Sequence, residues 1–355
     1  MKIYLVGGAV RDKLLGLPVL DRDWVVVGAT IEEMLDRGFR QVGRDFPVFL
    51  HPESNEEYAL ARTERKTGPG HRGFQFRSDP HVTLEEDLGR RDLRINAIAE
   101  TETGTLIDPH NGLRDIKKKS IRHISDSFKE DPLRILRVAR FKAKFHHLDF
   151  FVHQRTTDLI KAMVSNKEHN ELSAERVLIE LDKALATKNA TEFFRYLAKV
   201  GADSMLWSEI SDAAYDRLEA ASTINPDVKF AVLLLDLSSD EIQAICRRLK
   251  TSKNRLQIAT LVAALIKPWS EIDKLSAEAR VELVEKADGT RKSERFDNFN
   301  LACQEITRLK HANHWRKIRD VMLSVKAKDL KGKAKGRHLG ELVRKAQILK
   351  IDELQ

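Results

Sequence analysis

The chain has 355 residues, 42% of them hydrophobic and 33% charged, which is enough apolar material for sizeable cores and too much length for one, so two or more packed units are expected. Its 62 basic and 54 acidic side chains leave a formal charge of +8, which points to a polyanionic partner such as nucleic acid or nucleotide and away from cationic or apolar ones. Cys246 and Cys303 alone make neither a disulfide framework nor a zinc site, the start MKIYLVGG is too weakly apolar for a signal peptide, and no uncharged apolar run reaches a membrane-spanning length of about 18 residues, so a reducing, cytoplasmic setting without membrane contact is the expectation.

Lys2 to Val6 reads as a short strand, and Gly7-Gly8 lets the backbone turn tightly into a helix beginning near Ala9. Trp24 to Val27 is a second β-branched run, and Thr30 with Glu33 fits a capping box that opens a helix over Ile31 to Leu35. Phe46 to Leu50 and Glu57 to Arg62 read as further strands. From Glu64 to Pro80 the sequence ERKTGPGHRGFQFRSDP is rich in glycine and cations, as a mobile basic loop is, and loops this long tend to be functional. Thr83 and Glu86 form another capping box, and a strand at Thr105 to Ile107 is closed by the turn DPHNG.

Beyond about residue 125 the β signals fade. Asp131 caps a helix with Pro132 in its first turn, and LRILRVARFKAKF continues it. Ser173 starts AERVLIELDKAL, and Thr191 to Lys199, Lys229 to Leu237, Lys253 to Ile266, Glu278 to Lys286 and Leu301 to Leu309 fit amphipathic helices. The glycine-interrupted basic run Lys326 to His338 precedes a last helix. The fold class is therefore α+β: a small mixed-sheet head over residues 1–125, then all-helical segments over 126–210, 211–325 and 326–355.

Three constellations carry chemistry. In an extended segment Asp21 and Asp23 share a face, presenting two carboxylates to a hard Mg²⁺ ion whose other ligands are phosphate and water, while the glycine pair and Arg11 suit phosphate oxygens. Each piece alone also fits a solvated turn. Arg90-Arg91-Asp92 follows; adjacent helical arginines face different ways, so one reaches a phosphate while the other or Asp92 fixes a sugar or the local fold. In EDPLRILRVARF, Arg134, Arg137 and Arg140 span an arc of about 120° on a helix that turns about 100° per residue. Asp131 either caps that helix or accepts from a base amino group while Arg134 donates to ring acceptors.

GGAVRD, the following DRD, ARTERK, RRDLRINAIA and EDPLRILRVARF, in this order and spacing, resemble the motifs of bacterial CCA-adding enzymes, the tRNA nucleotidyltransferases of the class that also holds bacterial poly(A) polymerases. The similarity is dense to about Phe145 and looser through SAERV to about residue 210. It implies a nucleotidyltransferase head, a neck that reads the incoming nucleotide, and a helical body and tail that hold tRNA. On this chain it implies catalytic metals on Asp21 and Asp23, and triphosphate contacts at Gly8 and Arg11. It further implies ATP or CTP binding at Arg91, Arg137 and Arg140, ribose selection at Arg90, Arg91 and Asp92, base reading by Asp131 and Arg134, and a part for the loop from Arg65 to Pro80 in switching from C to A.

Longer members carry a metal-dependent phosphohydrolase domain with a His-Asp motif. In the corresponding stretch, FAVLLLDLSSDE, Leu235 stands before Asp236 where the histidine would be, so phosphohydrolase chemistry is not expected. The expected reaction is attack of the tRNA 3′-hydroxyl on the α-phosphate of CTP or ATP with loss of pyrophosphate, served by two ions at Asp21 and Asp23. The alternatives are a poly(A) polymerase, an enzyme adding only A or only CC, or a non-catalytic tRNA-binding protein.

Overall fold

The computed structural model is described over residues 1–42, 48–66, 74–167, 172–206, 210–330 and 337–354. It divides into two compact units, Met1–Arg176 with Arg195–Met205, and Val177–Phe194 with Leu206–Gln355.

The first unit opens with β1 (Lys2–Val6), which ends at Gly7. The φ of Gly7 is 71°, a left-handed conformation that an L side chain enters only at a cost. α1 (Gly8–Leu14) leads to β2 (Asp23–Val27), antiparallel to β1 with Val6 opposite Asp23. α2 (Ile31–Asp36) begins at the anticipated capping box: Glu33 N donates to Thr30 Oγ1, and Thr30 N donates to the Glu33 carboxylate. β3 (Arg40–Gln41), β4 (Val48–Leu50) and β5 (Glu57–Leu60) follow, with β5 parallel to β2. The strand expected from Phe46 thus begins at Val48, and Phe46 itself lies outside the described residues.

The segment expected as a basic loop is different. β6 (Arg62–Lys66) pairs antiparallel with β7 (Phe74–Ser78), Arg62 opposite Ser78 and Lys66 opposite Phe74. The expected strand Glu57 to Arg62 is split at Ala61 between two sheets. RTERK and FQFRS carry Thr and Phe between polar residues, a strand pattern that the surrounding glycines and cations hid; residues 67–73 lie outside the described ones.

α3 (Leu84–Gly89) starts at the second capping box, and β8 (Ala99–Thr101) and β9 (Leu106–Ile107) complete a sheet of order β3-β4-β5-β2-β1-β8-β9. Strand alternation sends Val6 and Val25 into one core, which Leu88 and Ala97 join, and Val26, Phe49 and Leu60 into another, which Met34 joins. Both Asp108 oxygens accept the opening amides of α4 (Gly112–Lys117), Gly112 N at 2.7 Å and Leu113 N at 2.9 Å. A Cβ on Gly112 would collide with the Arg94 carbonyl and Ile98, so α4 packs directly on backbone. β10 (Ser120–Ile121), α5 (Leu133–Lys144), β11 (Phe151–Val152), parallel to β10, and α6 (Gln154–Ser165) follow.

α7 (Ala174–Leu185) and α8 (Thr191–Val200) bring the chain to the second unit, which is helical throughout its described residues. It holds α9 (Asp212–Ala220), α10 (Pro226–Leu233), α11 (Ser239–Leu249), α12 (Lys253–Ser270), α13 (Ala277–Lys286), α14 (Ser293–Thr307), α15 (Ala312–Ser324) and α16 (Arg337–Asp352). α10 starts and ends earlier than the expected Lys229 to Leu237, because Asn225 caps it and accepts from Asp227 N and Val228 N. Two indoles are fully buried with their N–H groups satisfied: Trp269 donates to Asn300 Oδ1 at 2.7 Å and Trp315 to the Trp269 carbonyl at 3.1 Å. Lys229 is buried as well; its Nζ donates to the Thr187 carbonyl at 2.5 Å, and burial pulls its pKa down to about 8. Cys246 and Cys303 are buried free thiols. No helix among the described residues is long and apolar enough to cross a membrane.

Candidate active site

The β1–β2 register places Asp23 across from Val6, one residue before the Gly7-Gly8 turn. Asp21 and Asp23 are exposed, while Arg22 turns toward Glu56 at 3.6 Å. Although Asp23 as a residue is exposed, the protein around its carboxyl partly desolvates it and pushes it up; Arg91 opposes this and the negative charge of Asp21 adds to it. Two carboxylates this close in sequence on one strand entrance make a donor pair suited to a cation. Among the described residues no group of three His, Cys, Asp or Glu side chains forms a cage. Such a pair fits Mg²⁺, which binds through one or two carboxylates plus substrate phosphates.

Arg91 joins this pair to the glycine turn. Its Nη2 donates to Asp87 at 3.1 Å, its Nε is buried with no hydrogen-bond partner, and its Nη1 sits so close to Gly7 that a Cβ there would lie 2.9 Å away. Contrary to the expectation that Arg90 and Arg91 face apart, both reach Asp87, Arg90 through Nη2 at 2.6 Å and Nε at 3.0 Å. They stand three and four residues after Asp87, where side chains at a helix end return to one carboxylate. Burial would raise Asp87, but Arg91 and Arg90 outweigh it and hold it low.

Behind the turn runs a chain of alternating charge. Lys144 donates to Asp12 at 3.0 Å, Arg11 Nε donates to Asp12 at 2.8 Å, and Arg11 Nη1 donates to Asn96 Oδ1. Asn96 donates to Asp92 at 3.0 Å, and Arg137 Nε donates to Asp92 at 2.7 Å. Burial alone would raise Asp92, but Arg137 and Asn96 hold it far below the usual carboxylate range. Phe141 is the apolar centre: the Arg11, Arg137 and Arg140 guanidiniums lie 5.0, 5.8 and 4.2 Å from its ring centroid, which lets like charges crowd around one aromatic ring. Arg11, expected to suit phosphate oxygens, is only 4% exposed and already holds Asp12 and Asn96. Asp12, Asn96, Phe141 and Lys144 were not singled out in the sequence, although three of them stand inside motifs that were.

The side chains of Asp131 and Arg134 do not bond each other, although Arg134 N donates to the Asp131 carbonyl at 3.0 Å. The Asp131 carboxylate accepts from Arg176 Nη1 at 3.2 Å and Nη2 at 2.8 Å, and its Oδ1 also accepts from Leu133 N at 3.1 Å. It therefore does cap α5 and is also held by a fork from α7. Arg134 donates to the carbonyls of Ser127 at 3.0 Å and Arg90 at 2.6 Å. That last bond ties the base-reading candidate to the Arg90-Arg91-Asp92 segment. Arg176 was missed: SAERV was read as a helix start and as part of the looser resemblance, and nothing in its spacing points back 45 residues to Asp131.

Residues 3–122 match the family described as poly A polymerase head domain, and residues 149–213 match the probable RNA and SrmB-binding site of polymerase A. The CCA-adding enzyme of Coxiella burnetii is 45% identical over 98% of this chain and 92% of its own length. That of Pseudomonas putida is 47% identical over 87% of this chain and 85% of its own. Among solved structures, a CCA-adding enzyme in an apo form superposes with a TM-score of 0.73 at 24% identity, covering 99% of this chain and 88% of that one. A Thermotoga maritima CCA-adding enzyme complexed with tRNA does so at 0.68 and 23%, covering 99% and 87%; at these identities the likeness is one of fold. With the glycine turn, the paired carboxylates and the arginine face of α5 already in place, the near-full-length identity to its relatives makes this chain a member of the CCA-adding enzymes, the nucleotidyltransferases that build the CCA end of tRNA from CTP and ATP without a template.

Proposed function

We propose that the reaction takes place at the end of the sheet where Val6 faces Asp23, with Asp21 and Asp23 as the metal ligands and the arginines around Gly7 and Phe141 as the fixed positive field for the triphosphate. The observation that carries this is the convergence of Arg91 on the Gly7 turn and on Asp23 at once. Bound Mg²⁺ supplies activation of the tRNA 3′-hydroxyl and neutralisation of charge on the leaving oxygens. Gly8, Arg91, Arg137 and Arg140 meet the nucleotide phosphates. Arg11, committed to Asp12 and Asn96, serves the same end by fixing Asp92 and through it Arg137.

Asp131 and Arg134 read the base edge without giving up the contacts they already make. A carboxylate has about four lone-pair sites and an arginine five N–H donors. Three bonds to Asp131 leave a site on Oδ2, and two from Arg134 leave donors in reserve. Arg176 keeps the Asp131 carboxylate aimed. Arg90, Arg91 and Asp92, tied to Asp87 and Arg137, place the sugar. Residues 1–125 act as head, 126–210 as neck, 211–325 as body and 326–355 as tail, in the cytoplasm, on tRNA as acceptor.

Incubating a tRNA that lacks its CCA end with CTP alone, ATP alone, and both tests the reading. Two C additions with CTP, and a single A only after them, are the expected outcome. A long A tract from ATP alone would make the chain a poly(A) polymerase, and no metal-dependent incorporation would leave it a binding protein.

A further inference from the structure

The first unit holds a polar concavity of about 400 Å³ lined by neither the Gly7 turn nor Asp21 and Asp23. α4 and the turn after it supply Arg114 and Lys118, and Arg94 and Arg122 come from the segments on either side. Among the described residues Arg114, Lys118 and Arg122 have no carboxylate within ion-pair distance, and Arg94 has only Asp115 at 4.0 Å. Four cations thus face one carboxylate, and like charges gathered without counter-ions repel unless an anion joins them.

Two buried polar atoms that line the same cavity lack a hydrogen bond. Ser120 is 2% exposed and its Oγ has no hydrogen-bond partner; Asp115 is 4% exposed and its Oδ2 has none. Buried polar atoms are normally satisfied, and the Ser120 hydroxyl can donate to an anion's oxygen where a carbonyl partner is missing. The imbalance is felt nearby: burial and Arg94 lower Arg122, and burial and Arg122 lower His153. The rim carries Phe151, half exposed, and His153, both within the stretch that matches an RNA-binding family.

We propose that this cavity holds a phosphate of the bound tRNA backbone, with Arg94, Arg114, Lys118 and Arg122 as the cationic walls and Ser120 as a neutral donor. An aromatic rim beside a cationic pocket suits an unpaired nucleotide, whose phosphate enters while its base meets Phe151. The proposal takes its ligand from the transferase reading, but its position is independent of Asp21 and Asp23.

The test uses the full chain and the double variant Arg114→Gln/Lys118→Gln, two exposed substitutions on and just after α4, checked for unchanged thermal unfolding. Binding of CCA-less tRNA is measured across a salt series, beside a control of equal charge loss, Arg37→Gln/Arg40→Gln. The expected result is a slope of log affinity against log salt reduced by about one unit per lost contact in the pocket variant and unchanged in the control. CMP and AMP addition at saturating tRNA should stay at the wild-type rate while KM for tRNA rises. A second arm measures inhibition by pyrophosphate and by inorganic phosphate. An unchanged tRNA slope with weakened pyrophosphate inhibition would overturn the RNA assignment in favour of the free anion, and no change in either would overturn the pocket as a phosphate site. Failure of the wild type to incorporate nucleotide would instead strike the transferase reading.

Discussion

Asp131 and Arg176 form a two-pronged ion pair across 45 residues of sequence, with both guanidinium Nη atoms on the two oxygens of one carboxylate. The pair places the aspartate that caps α5 under the control of a residue in α7. If Asp131 and Arg134 read the base, each bidentate-type contact discriminates by about 1–3 kcal/mol. Arg134→Ala is therefore expected to raise relative UMP or GMP incorporation by about tenfold or more. Asp131→Asn, which keeps a cap but replaces an acceptor by a donor, should do the same. Arg176→Lys, which loses the planar fork but keeps the charge, should shift selectivity in the same direction by less. Competitive incorporation of all four nucleotides into tRNAs ending before the first C, the second C and the A measures this. Unchanged selectivity in all three variants, with normal folding, would reduce the pair to a structural clamp.

Asp21→Ala and Asp23→Ala should each lower CMP and AMP addition by orders of magnitude while tRNA affinity stays within several-fold. Loss confined to one nucleotide, or near-normal rates at saturating Mg²⁺, would remove both residues as shared metal ligands.

Asp92 is held low by Arg137 and Asn96. A carboxylate depressed in the folded state contributes stability that is complete above its unfolded pKa and is lost as pH falls through the folded one. Asp92→Asn should cost about 1–3 kcal/mol near neutrality, as loss of a charged hydrogen bond does. It should also flatten the decline of stability in acid. Denaturant unfolding followed from neutral to acid pH reads both effects. Arg137→Ala should slow CMP and AMP addition together without changing the ratio between them.

Lys229 makes the opposite case. With its pKa pulled to about 8 from 10.5, the unfolded chain binds more protons than the folded one between those values, so stability contributed at this site rises with pH across that window. At about 1.4 kcal/mol per pKa unit the rise is on the order of 3 kcal/mol. Lys229→Met should abolish it, and thermal unfolding of both proteins between pH 7 and 10 is the measurement, on the order of a few degrees in Tm.

Asp236 is paired with Arg217 and has Leu235, not histidine, beside it. Hydrolysis of a 2′,3′-cyclic nucleotide in Mn²⁺ or Ni²⁺ that survives Asp21→Ala and disappears in Asp236→Ala would contradict the expectation that the second unit lacks phosphohydrolase chemistry.

Local signals were the legible ones. The strand Lys2–Val6, both capping boxes of the first unit and the cap at Asp131 depend on neighbours within a few residues, and the sequence carries them openly. The β6–β7 hairpin was not legible, because its arms are short and the glycines between them read as loop. Partners distant in the chain were hidden too: Asp12 and Lys144 are 132 residues apart, and Arg11 and Asn96 are 85 apart. Chemistry was visible in Asp21, Asp23 and the arginines because the residue types themselves announce it. What holds those arginines in place is visible only in the fold. The basic run at Lys331, Lys333 and Lys335 lies outside the described residues, so the expectation that neutralising it together with Arg337 weakens tRNA binding and lowers the slope of log affinity against log salt stands on charge alone.

One phenyl ring, Phe141, serves as a common bearing for Arg11, Arg137 and Arg140. The three cations therefore cannot vary independently. A change that loosens one lets the ring tilt and shifts the other two, so double-mutant cycles among them should depart from additivity, and phenylalanine to leucine at 141 should mimic partial loss of all three. In the history of such a site, substitutions would be tolerated in sets rather than one at a time, and a lineage would find it easier to keep the whole cluster than to rebuild any single member of it.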